Sequence, residues 1–172
     1  MKKIILLGYM GCGKSTIAQN LSKAANIPYL DLDKCIEKRA NLSINEIFEL
    51  HGEIHFRKLE HEMFVELLNV PEKTIIGLGG GTPCYANNHE LLKGEGIVSV
   101  YLKASIDTLY NRLVYNKSKR PLIADMNEEE MREFIAKHLF DRSYYYNHAL
   151  HKVVVDNKTV DKTVSDILEL LA

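Results

Sequence analysis

The chain has little cysteine, little proline and no long hydrophobic run, and each shortage excludes a class of protein. The three cysteines, Cys12, Cys35 and Cys84, are an odd number at unrelated spacings, so they form neither a disulfide framework nor a zinc cluster. Four prolines and ten glycines among 172 residues leave no room for a low-complexity linker. This composition fits a reducing compartment, and we expect a cytoplasmic protein.

Membrane and nucleic-acid partners are not expected either. The apolar start, Ile4–Leu7, is only four residues long, whereas a secretory signal needs about 7–15 apolar residues and a membrane-spanning helix about 20. Lys and Arg number 22 and Asp and Glu 23, so the formal net charge is −1. Because non-specific nucleic-acid binding depends on a basic surface, any positive charge that this chain uses must lie inside a site.

The distribution of apolar residues predicts an α/β fold in one domain, since domains usually have about 100–200 residues. Short β-branched or aliphatic runs alternate with longer amphipathic stretches, which is typical of a parallel sheet with helices on both faces. Strands are predicted at Lys3–Leu7, Tyr29–Leu30, Thr74–Leu78, Ile97–Leu102 and Lys152–Val155. Helix starts are predicted at four residues whose side chains can act as N-caps: Ser43, Ser105, Asn127 and Thr159.

A glycine-rich segment, Gly8–Thr16, follows the first predicted strand and matches the pattern G-x-x-x-x-G-K-[ST]. Its glycines allow backbone N–H groups to point at a phosphate, and the helix that begins near Lys14 directs its positive end to the same place. Lys14 adds a full charge for the β- and γ-phosphates, and Ser15 offers a hydroxyl to Mg²⁺. The segment therefore predicts a nucleoside triphosphate site, but it does not identify the phosphate acceptor.

Two carboxylates, Asp31 and Asp33, follow the short second strand. If the chain stays extended, alternation places both on one side, at the ligand-binding edge of the sheet. One could hold hydrated Mg²⁺, and the other could accept a proton from a substrate hydroxyl. Alternatively, Asp33 only caps the helix that follows it.

Arg57 and Glu60 lie three residues apart in a long predicted helix, so Glu60 can hold the guanidinium in place for binding a carboxylate. An ordinary surface ion pair is the alternative.

The triplet Gly79–Gly81 leaves backbone amides open to a ligand, unless it is simply a flexible turn. Arg142 could be a second carboxylate donor, and Arg120 could reach the transferring phosphoryl group from a closing loop.

Together, the order and spacing of these residues resemble the shikimate kinase family over essentially the whole chain. The resemblance implies ATP-dependent phosphorylation of the 3-hydroxyl of shikimate in aromatic amino acid biosynthesis, by a three-layer α/β/α domain of the P-loop NTPase type with a five-stranded parallel sheet. ATP, Mg²⁺ and shikimate are the implied ligands. The implied domain spans residues 1–172, with acceptor-binding helices at about 32–60 and a mobile lid at about 114–125.

The resemblance also implies a role for each site residue. Asp33, Lys14 and Arg120 would be catalytic. ATP would be bound by Gly11, Cys12, Gly13, Lys14, Ser15, Thr16, Arg112 and Arg120, with Arg112 on the adenine. Shikimate would be bound by Asp33, Arg57, Gly79, Gly80, Gly81 and Arg142, and Mg²⁺ by Ser15 and Asp31.

Several points stay open. A kinase for gluconate or a nucleoside monophosphate, or a non-catalytic ATP-binding module, is the alternative to shikimate kinase. The stretch near Asp156 and Asn157 has no clear motif, although it follows the last strand, where adenine could bind. His51 and His55 have i,i+4 spacing but lack the glutamate of H-E-x-x-H, so we interpret them as surface histidines. No coiled-coil pattern demands a partner, and a monomer is expected.

Overall fold

The computed structural model describes residues 2–172, which form a five-stranded sheet and six α-helices. The strands are β1 (Lys3–Leu7), β2 (Tyr29–Asp31), β3 (Thr74–Gly77), β4 (Ile97–Lys103) and β5 (His151–Val154). The helices are α1 (Lys14–Ala25), α2 (Leu32–Ala40), α3 (Ile44–Asn69), α4 (Ile106–Val114), α5 (Glu128–Tyr146) and α6 (Val160–Leu171). All five predicted strands are present, with ends shifted by a residue at most.

The sheet is parallel throughout, with the strand order β2-β3-β1-β4-β5. The central strand β1 is buried along its whole length, as expected for a strand covered by helices on both faces. Helix α1 packs against α6, α2 against α3, and α4 against α5. This is the predicted α/β fold, and because the strands are parallel, all their carboxyl ends lie at one edge, where α/β proteins bind their ligands.

The helix starts agree with the capping signals in the sequence. Ser43 Oγ accepts a hydrogen bond from Glu46 N at 3.2 Å, and Glu46 Oε2 accepts one from Ser43 N at 2.7 Å. Asn127 starts α5 with the same reciprocal arrangement, while Ser105 and Thr159 cap α4 and α6. These caps satisfy backbone N–H groups that the first turn of a helix leaves unpaired.

The turn from β2 into α2 differs from the prediction. We expected Asp31 and Asp33 to share one side of an extended chain, but α2 begins at Leu32. Asp31, not Asp33, is the N-cap, and its Oδ1 accepts a hydrogen bond from Lys34 N at 3.0 Å. Asp33 lies in the first turn of α2, so its carboxylate is not needed as the helix cap.

Helix α3 is interrupted at Gly52, where φ is 79° and ψ is 173°. A Cβ at Gly52 would meet no atom within 4 Å, so the backbone conformation, rather than crowding, favours glycine here. The kink separates the amino-terminal half of α3 from the half that carries Arg57 and Glu60.

The predicted lid region has little regular structure. After α4 ends at Val114, a single 3₁₀ turn, Lys117–Lys119, precedes the start of α5 at Glu128. Within residues 2–172, no helix combines the length and the apolar character needed to cross a membrane.

The Ser43 cap gives a test of how α3 is fixed. We expect Ser43→Ala to lower the free energy of unfolding by about 1 kcal/mol, because the N–H of Glu46 loses its acceptor. Urea unfolding measures the difference. Ser165→Ala is the matched control, since Ser165 is exposed within α6 and alanine is favoured inside helices. Equal stability of the two variants would contradict the role of the cap.

Candidate active site

The loop between β1 and α1 is shaped by its glycines. Gly13, the N-cap of α1, has φ 88° and offers no side-chain cap, so the first-turn N–H groups of α1 remain available to a ligand. Gly11 has φ 85°, and a Cβ there would lie 2.9 Å from Leu113 Cγ. Lys14 Nζ is 3.3 Å from the carbonyl oxygen of Gly8 and can donate to it, so the lysine folds back over the loop.

A cavity of about 420 Å³ lies along this loop at the carboxyl edge of the sheet. It brings together most of the predicted site residues: Gly11, Cys12, Gly13, Lys14, Ser15, Thr16, Asp31, Asp33, Gly79, Gly80, Arg112 and Arg120. The glycine-rich loop, the two aspartates, the first two glycines of the triplet and the arginine of the predicted lid therefore face one space, although they come from distant parts of the sequence.

Asp33 lies in an environment that disfavours its ionised form. The pKa of Asp33 is raised to about 6, first by burial and then by the carboxylates of Asp31 and Glu60, with Lys14 acting in the opposite direction. An aspartate with this pKa is still ionised at neutral pH. It is a better proton acceptor than an exposed aspartate, because a base works best when its pKa is near the operating pH.

Asp31 and Ser15 both line this cavity and carry side-chain oxygens, which fits the preference of Mg²⁺ for hard oxygen ligands. Asp31 Oδ2 accepts a hydrogen bond from the Tyr29 hydroxyl at 3.1 Å, so the carboxylate is oriented on both sides. Among residues 2–172, no three His, Cys, Asp or Glu side chains form a metal-binding group. Phosphate-bound Mg²⁺ needs no such group, because it keeps several waters and takes one or two protein ligands.

The predicted contact between Arg57 and Glu60 is present and is part of a buried network. Arg57 Nη1 donates to Glu60 Oε1 at 2.8 Å, and Thr82 Oγ1 donates to Glu60 Oε2 at 2.8 Å. Glu60 is only 1% exposed. The alternative of an ordinary surface ion pair is therefore wrong. A buried carboxylate whose two oxygens both accept hydrogen bonds holds its partner much more firmly than a solvated carboxylate does.

The glycine triplet lets two guanidinium groups approach the main chain. A Cβ at Gly81 would lie 2.9 Å from Arg57 Nη2, and one at Gly80 would lie 3.2 Å from Arg142 Nη1. Tyr146, which is fully buried, donates its hydroxyl hydrogen to the carbonyl oxygen of Gly80 at 2.6 Å. The triplet is thus a surface against which both arginines pack.

The cavity along the glycine-rich loop, called the nucleotide cavity below, is not lined by Arg57, Arg142 or Gly81. These three residues lie next to it, beyond Gly80. Gly80 touches both regions, because it lines the cavity and contacts Arg142. The site therefore has two adjoining parts: a phosphate part around the glycine-rich loop and a cationic part with two guanidinium groups.

The remaining predicted arginines lie on the nucleotide side. Arg112 Nη1 is 3.3 Å from the carbonyl oxygen of Gly11. Arg120, from the predicted lid, places Nη1 3.7 Å from Met10 Sδ. Both side chains line the cavity, so each can reach an anion held by the loop.

A second cavity, of about 340 Å³, extends from the glycine-rich loop toward α6. It is lined by Gly13, Thr16, Ile17, Arg112, Val155, Lys158, Val160 and Thr163. Asp156 does not line it; instead Asp156 Oδ1 accepts hydrogen bonds from Ser105 N and Ser105 Oγ at 2.9 and 3.1 Å. Of the stretch near Asp156 and Asn157 that the sequence left unassigned, the neighbouring residues Val155 and Lys158 line this second cavity.

His51 and His55 are exposed and face a separate cavity beside α2. Their ring centroids are 4.7 Å apart, but no third ligand joins them in the described part of the chain. The interpretation as surface histidines is consistent with this placement.

Sequence reasoning missed three polar contacts that shape the site. Thr82 supports Glu60, Tyr29 supports Asp31, and Tyr85 covers Arg57 with its ring. The position of Thr82 and Tyr85 just after the glycine triplet was the only available signal for their two contacts. The i,i+2 spacing of Tyr29 and Asp31 in β2 places both side chains on one face of the strand, and this was the available signal for their contact.

Comparison with known proteins agrees with this geometry. A family model described as shikimate kinase matches residues 10–172. Shikimate kinase of Flavobacterium johnsoniae is 80% identical over 172 residues, covering 100% of both chains. Shikimate kinase from Bacteroides thetaiotaomicron superposes with a TM-score of 0.90 at 33% identity, over 99% of this chain and 98% of that one. The Acinetobacter baumannii enzyme in complex with shikimate gives 0.86 at 29% identity, over 99% and 93%. The chain belongs to the shikimate kinase family.

Proposed function

We propose that this chain transfers the γ-phosphoryl group of ATP to the 3-hydroxyl of shikimate, with the two parts of the site dividing the work. The observation that carries the proposal is the meeting of two guanidinium groups, from Arg57 and Arg142, at the glycine triplet beside the nucleotide cavity. Family membership and the shikimate complex of the A. baumannii relative support the choice of acceptor.

The phosphate part holds the triphosphate. The N–H groups that follow Gly13, together with Lys14 and Arg120, face the cavity and would neutralise charge that spreads over the γ-phosphoryl oxygens. Ser15 and Asp31 would hold hydrated Mg²⁺, which when bound neutralises further phosphate charge. The adenine would occupy the second cavity, against Arg112.

The cationic part would receive the carboxylate of shikimate. Glu60 engages Arg57 only through Nη1, and Arg57 Nη2 makes no hydrogen bond to any described residue, so it can donate to the acid. Arg142 would supply the second donor. Two guanidinium groups match a singly charged carboxylate, whereas a doubly charged monophosphate would call for more positive charge.

Asp33 would orient the acceptor hydroxyl and take its proton. The hydroxyl oxygen bonds to the γ-phosphorus, the bond from that phosphorus to the β–γ bridging oxygen breaks, and ADP leaves with the electron pair. Asp33 is placed for this step because it lines the nucleotide cavity and approaches Gly79, where a Cβ would lie 3.2 Å from Asp33 Oδ1.

The surrounding segments would close the site. We place the acceptor-binding region at about 32–60 and the lid at about 114–125, where Arg120 already faces the cavity. Closure over the substrates would exclude water and so suppress ATP hydrolysis. Since one chain supplies both parts of the site, we propose that a cytoplasmic monomer is the working form.

The assignment is tested by an assay of ADP release with shikimate, quinate, gluconate and CMP offered separately. We expect rapid ADP release with shikimate and Mg²⁺, and much slower release with the other acceptors, because only the right acid places a hydroxyl beside Asp33. If none of these acceptors accelerates ATP consumption, the proposed kinase activity is wrong and only ATP binding remains of the proposal.

Replacing Arg57 tests the acceptor half of the site. We expect Arg57→Ala to raise the KM for shikimate about tenfold to a hundredfold, because a charge-assisted hydrogen bond is lost, while the KM for ATP stays nearly unchanged. Steady-state kinetics with each substrate varied in turn measure both values. Arg39→Ala, which removes an exposed pair with Glu66, is the control and should affect neither. Because Arg57→Ala leaves the buried Glu60 carboxylate without its cation, thermal unfolding must first show that the variant is folded at the assay temperature. An equal loss for both substrates in the folded variant would contradict the assignment.

Replacing Asp33 separates function from stability. We expect Asp33→Asn to lower kcat by at least about a hundredfold, as general-base loss usually does. The same change should raise the melting temperature of the metal-free protein at pH 8. A pKa of about 6 means that the folded state disfavours the ionised carboxylate at that pH.

The difference in melting temperature between Asp33→Asn and the unsubstituted protein should depend on pH in a defined way. The difference should narrow as the pH falls from about 6 to below about 4, because the folded-state carboxyl is protonated first and the unfolded-state carboxyl, with its ordinary pKa near 4, is protonated last. Thermal unfolding at a series of pH values measures it, with Asp161→Asn as an exposed control. Near-normal turnover would remove the proposed role of Asp33, and a pH-independent difference would contradict the proposed environment.

A further inference from the structure

We infer that Tyr85 is a positioning residue for shikimate affinity, because its ring holds the Arg57 guanidinium ready for the acid. This inference rests on the proposed role of Arg57 as a carboxylate donor. Tyr85 would not touch the reacting atoms. It acts through the arginine that it covers.

The ring of Tyr85 lies against one face of the guanidinium. Arg57 Cζ is 3.8 Å from the Tyr85 ring centroid, closer than its 5.1 Å distance to the ring of Phe56. Stacked contacts of this kind attract a cation to the π-face and leave the planar N–H donors of arginine pointing outward at its edge. Tyr85 therefore covers a face of Arg57 without using any of its donors.

The edge of the guanidinium is also partly constrained. Nη1 is bound to Glu60, Nη2 lies against Gly81, and Nε is 3.5 Å from Glu53 Oε1 without a hydrogen-bond partner. With a face covered by Tyr85 and these contacts along its edge, the group has little freedom to rotate. Little conformational entropy is then left to lose when a carboxylate binds.

The loop that carries Tyr85 is fastened to the same helix as Arg57. Thr82 Oγ1 donates to Glu60, as described above. Asn88 Nδ2 donates to the carbonyl oxygen of Thr82 at 3.0 Å, and Asn88 N donates to the carbonyl oxygen of Tyr85 at 2.9 Å. His61 Nδ1 is 2.6 Å from Asn88 Oδ1. Helix α3 thus holds both the arginine and the backbone of its stacking partner.

The chain also accepts an unfavourable backbone conformation directly after Tyr85. Ala86 has φ 49° and Asn87 has φ 56°. An alanine in the left-handed region is strained because its Cβ crowds the backbone, and such residues persist where surrounding contacts impose them. Here the fully buried Asn88 supplies those contacts. This strained turn directly follows Tyr85, whose ring lies over Arg57. Strained backbone of this kind is typical of sites where the orientation of a side chain matters.

The experiment compares four variants of the whole 172-residue chain: Tyr85→Phe, Tyr85→Trp, Tyr85→Leu and Tyr85→Ala. Calorimetric titration with shikimate and, separately, with ATP gives each Kd. Since cation–π contacts are worth about a fivefold to tenfold change in affinity, we expect Tyr85→Ala and Tyr85→Leu to weaken shikimate binding by about that factor. Tyr85→Phe and Tyr85→Trp should retain it, because they keep the π-face. The Kd for ATP should stay constant.

Two matched variants separate this inference from simpler effects. Tyr110→Ala removes another tyrosine stacked on an arginine, at 4.3 Å from Arg132 Cζ, and should leave the shikimate Kd unchanged. In an Arg57→Ala background, Tyr85→Ala should cause no further loss, because the arginine through which it acts is gone.

A spectroscopic signal adds a readout that a purely structural role would not give. The chain has no tryptophan, so the Tyr85→Trp variant has a single indole, stacked on Arg57. We expect its emission to change when shikimate binds and to stay constant when ATP alone binds.

The outcomes distinguish this inference from the proposed function. If Arg57→Ala weakens shikimate binding but Tyr85→Ala does not, the inference about Tyr85 is wrong and the role of Arg57 stands. If Tyr85→Phe loses as much affinity as Tyr85→Ala, the hydroxyl matters rather than the stacked face, and the inference is again wrong. If Arg57→Ala leaves the shikimate Kd unchanged, the proposed role of Arg57 fails and the inference fails with it.

Discussion

The site depends on one buried carboxylate. Glu60 is almost completely withdrawn from water, and its two oxygens accept hydrogen bonds from Arg57 and Thr82. An unpaired charge in such a place would be strongly destabilising, so the fold requires both partners to stay where they are. That requirement fixes a guanidinium on α3 and, through Thr82, the segment that follows the glycine triplet. The position of Arg57 in the cationic part of the site is therefore set by the electrostatics of the folded protein before any ligand arrives.

Glu60 and Asp33 show how environment gives two carboxylates different tasks. Glu60 has a cation and a hydroxyl within hydrogen-bonding distance and acts as a structural anchor. Asp33 is close to two other carboxylates and is partly buried, which raises its pKa to about 6. The fold tolerates the unfavourable energy of an ionised Asp33 near other negative charges, beside the glycine-rich loop, where Asp33 is the proposed base. A functional group held in a locally unfavourable state is typical of active sites.

Much of the fold and part of the site could be predicted from the sequence. Strand–helix alternation and capping side chains such as Ser43 are local signals, and the Gly8–Thr16 segment gives both a fold position and a chemistry. The contact between Arg57 and Glu60 was also predictable, because it lies within one helix turn. The contacts with Thr82 and Tyr85 cross from a helix to a distant loop, and no local pattern encodes them. The start of α2 was misplaced because Asp31 and Asp33 are equally good caps in sequence terms.

The most direct test of the account is a crystal structure of this protein with shikimate and a non-hydrolysable ATP analogue bound together. We expect the shikimate carboxylate to lie within about 3.2 Å of the guanidinium nitrogens of Arg57 and Arg142. We also expect one ring hydroxyl to lie between Asp33 and the γ-phosphorus. A carboxylate bound elsewhere, with those arginines unchanged and unoccupied, would contradict it.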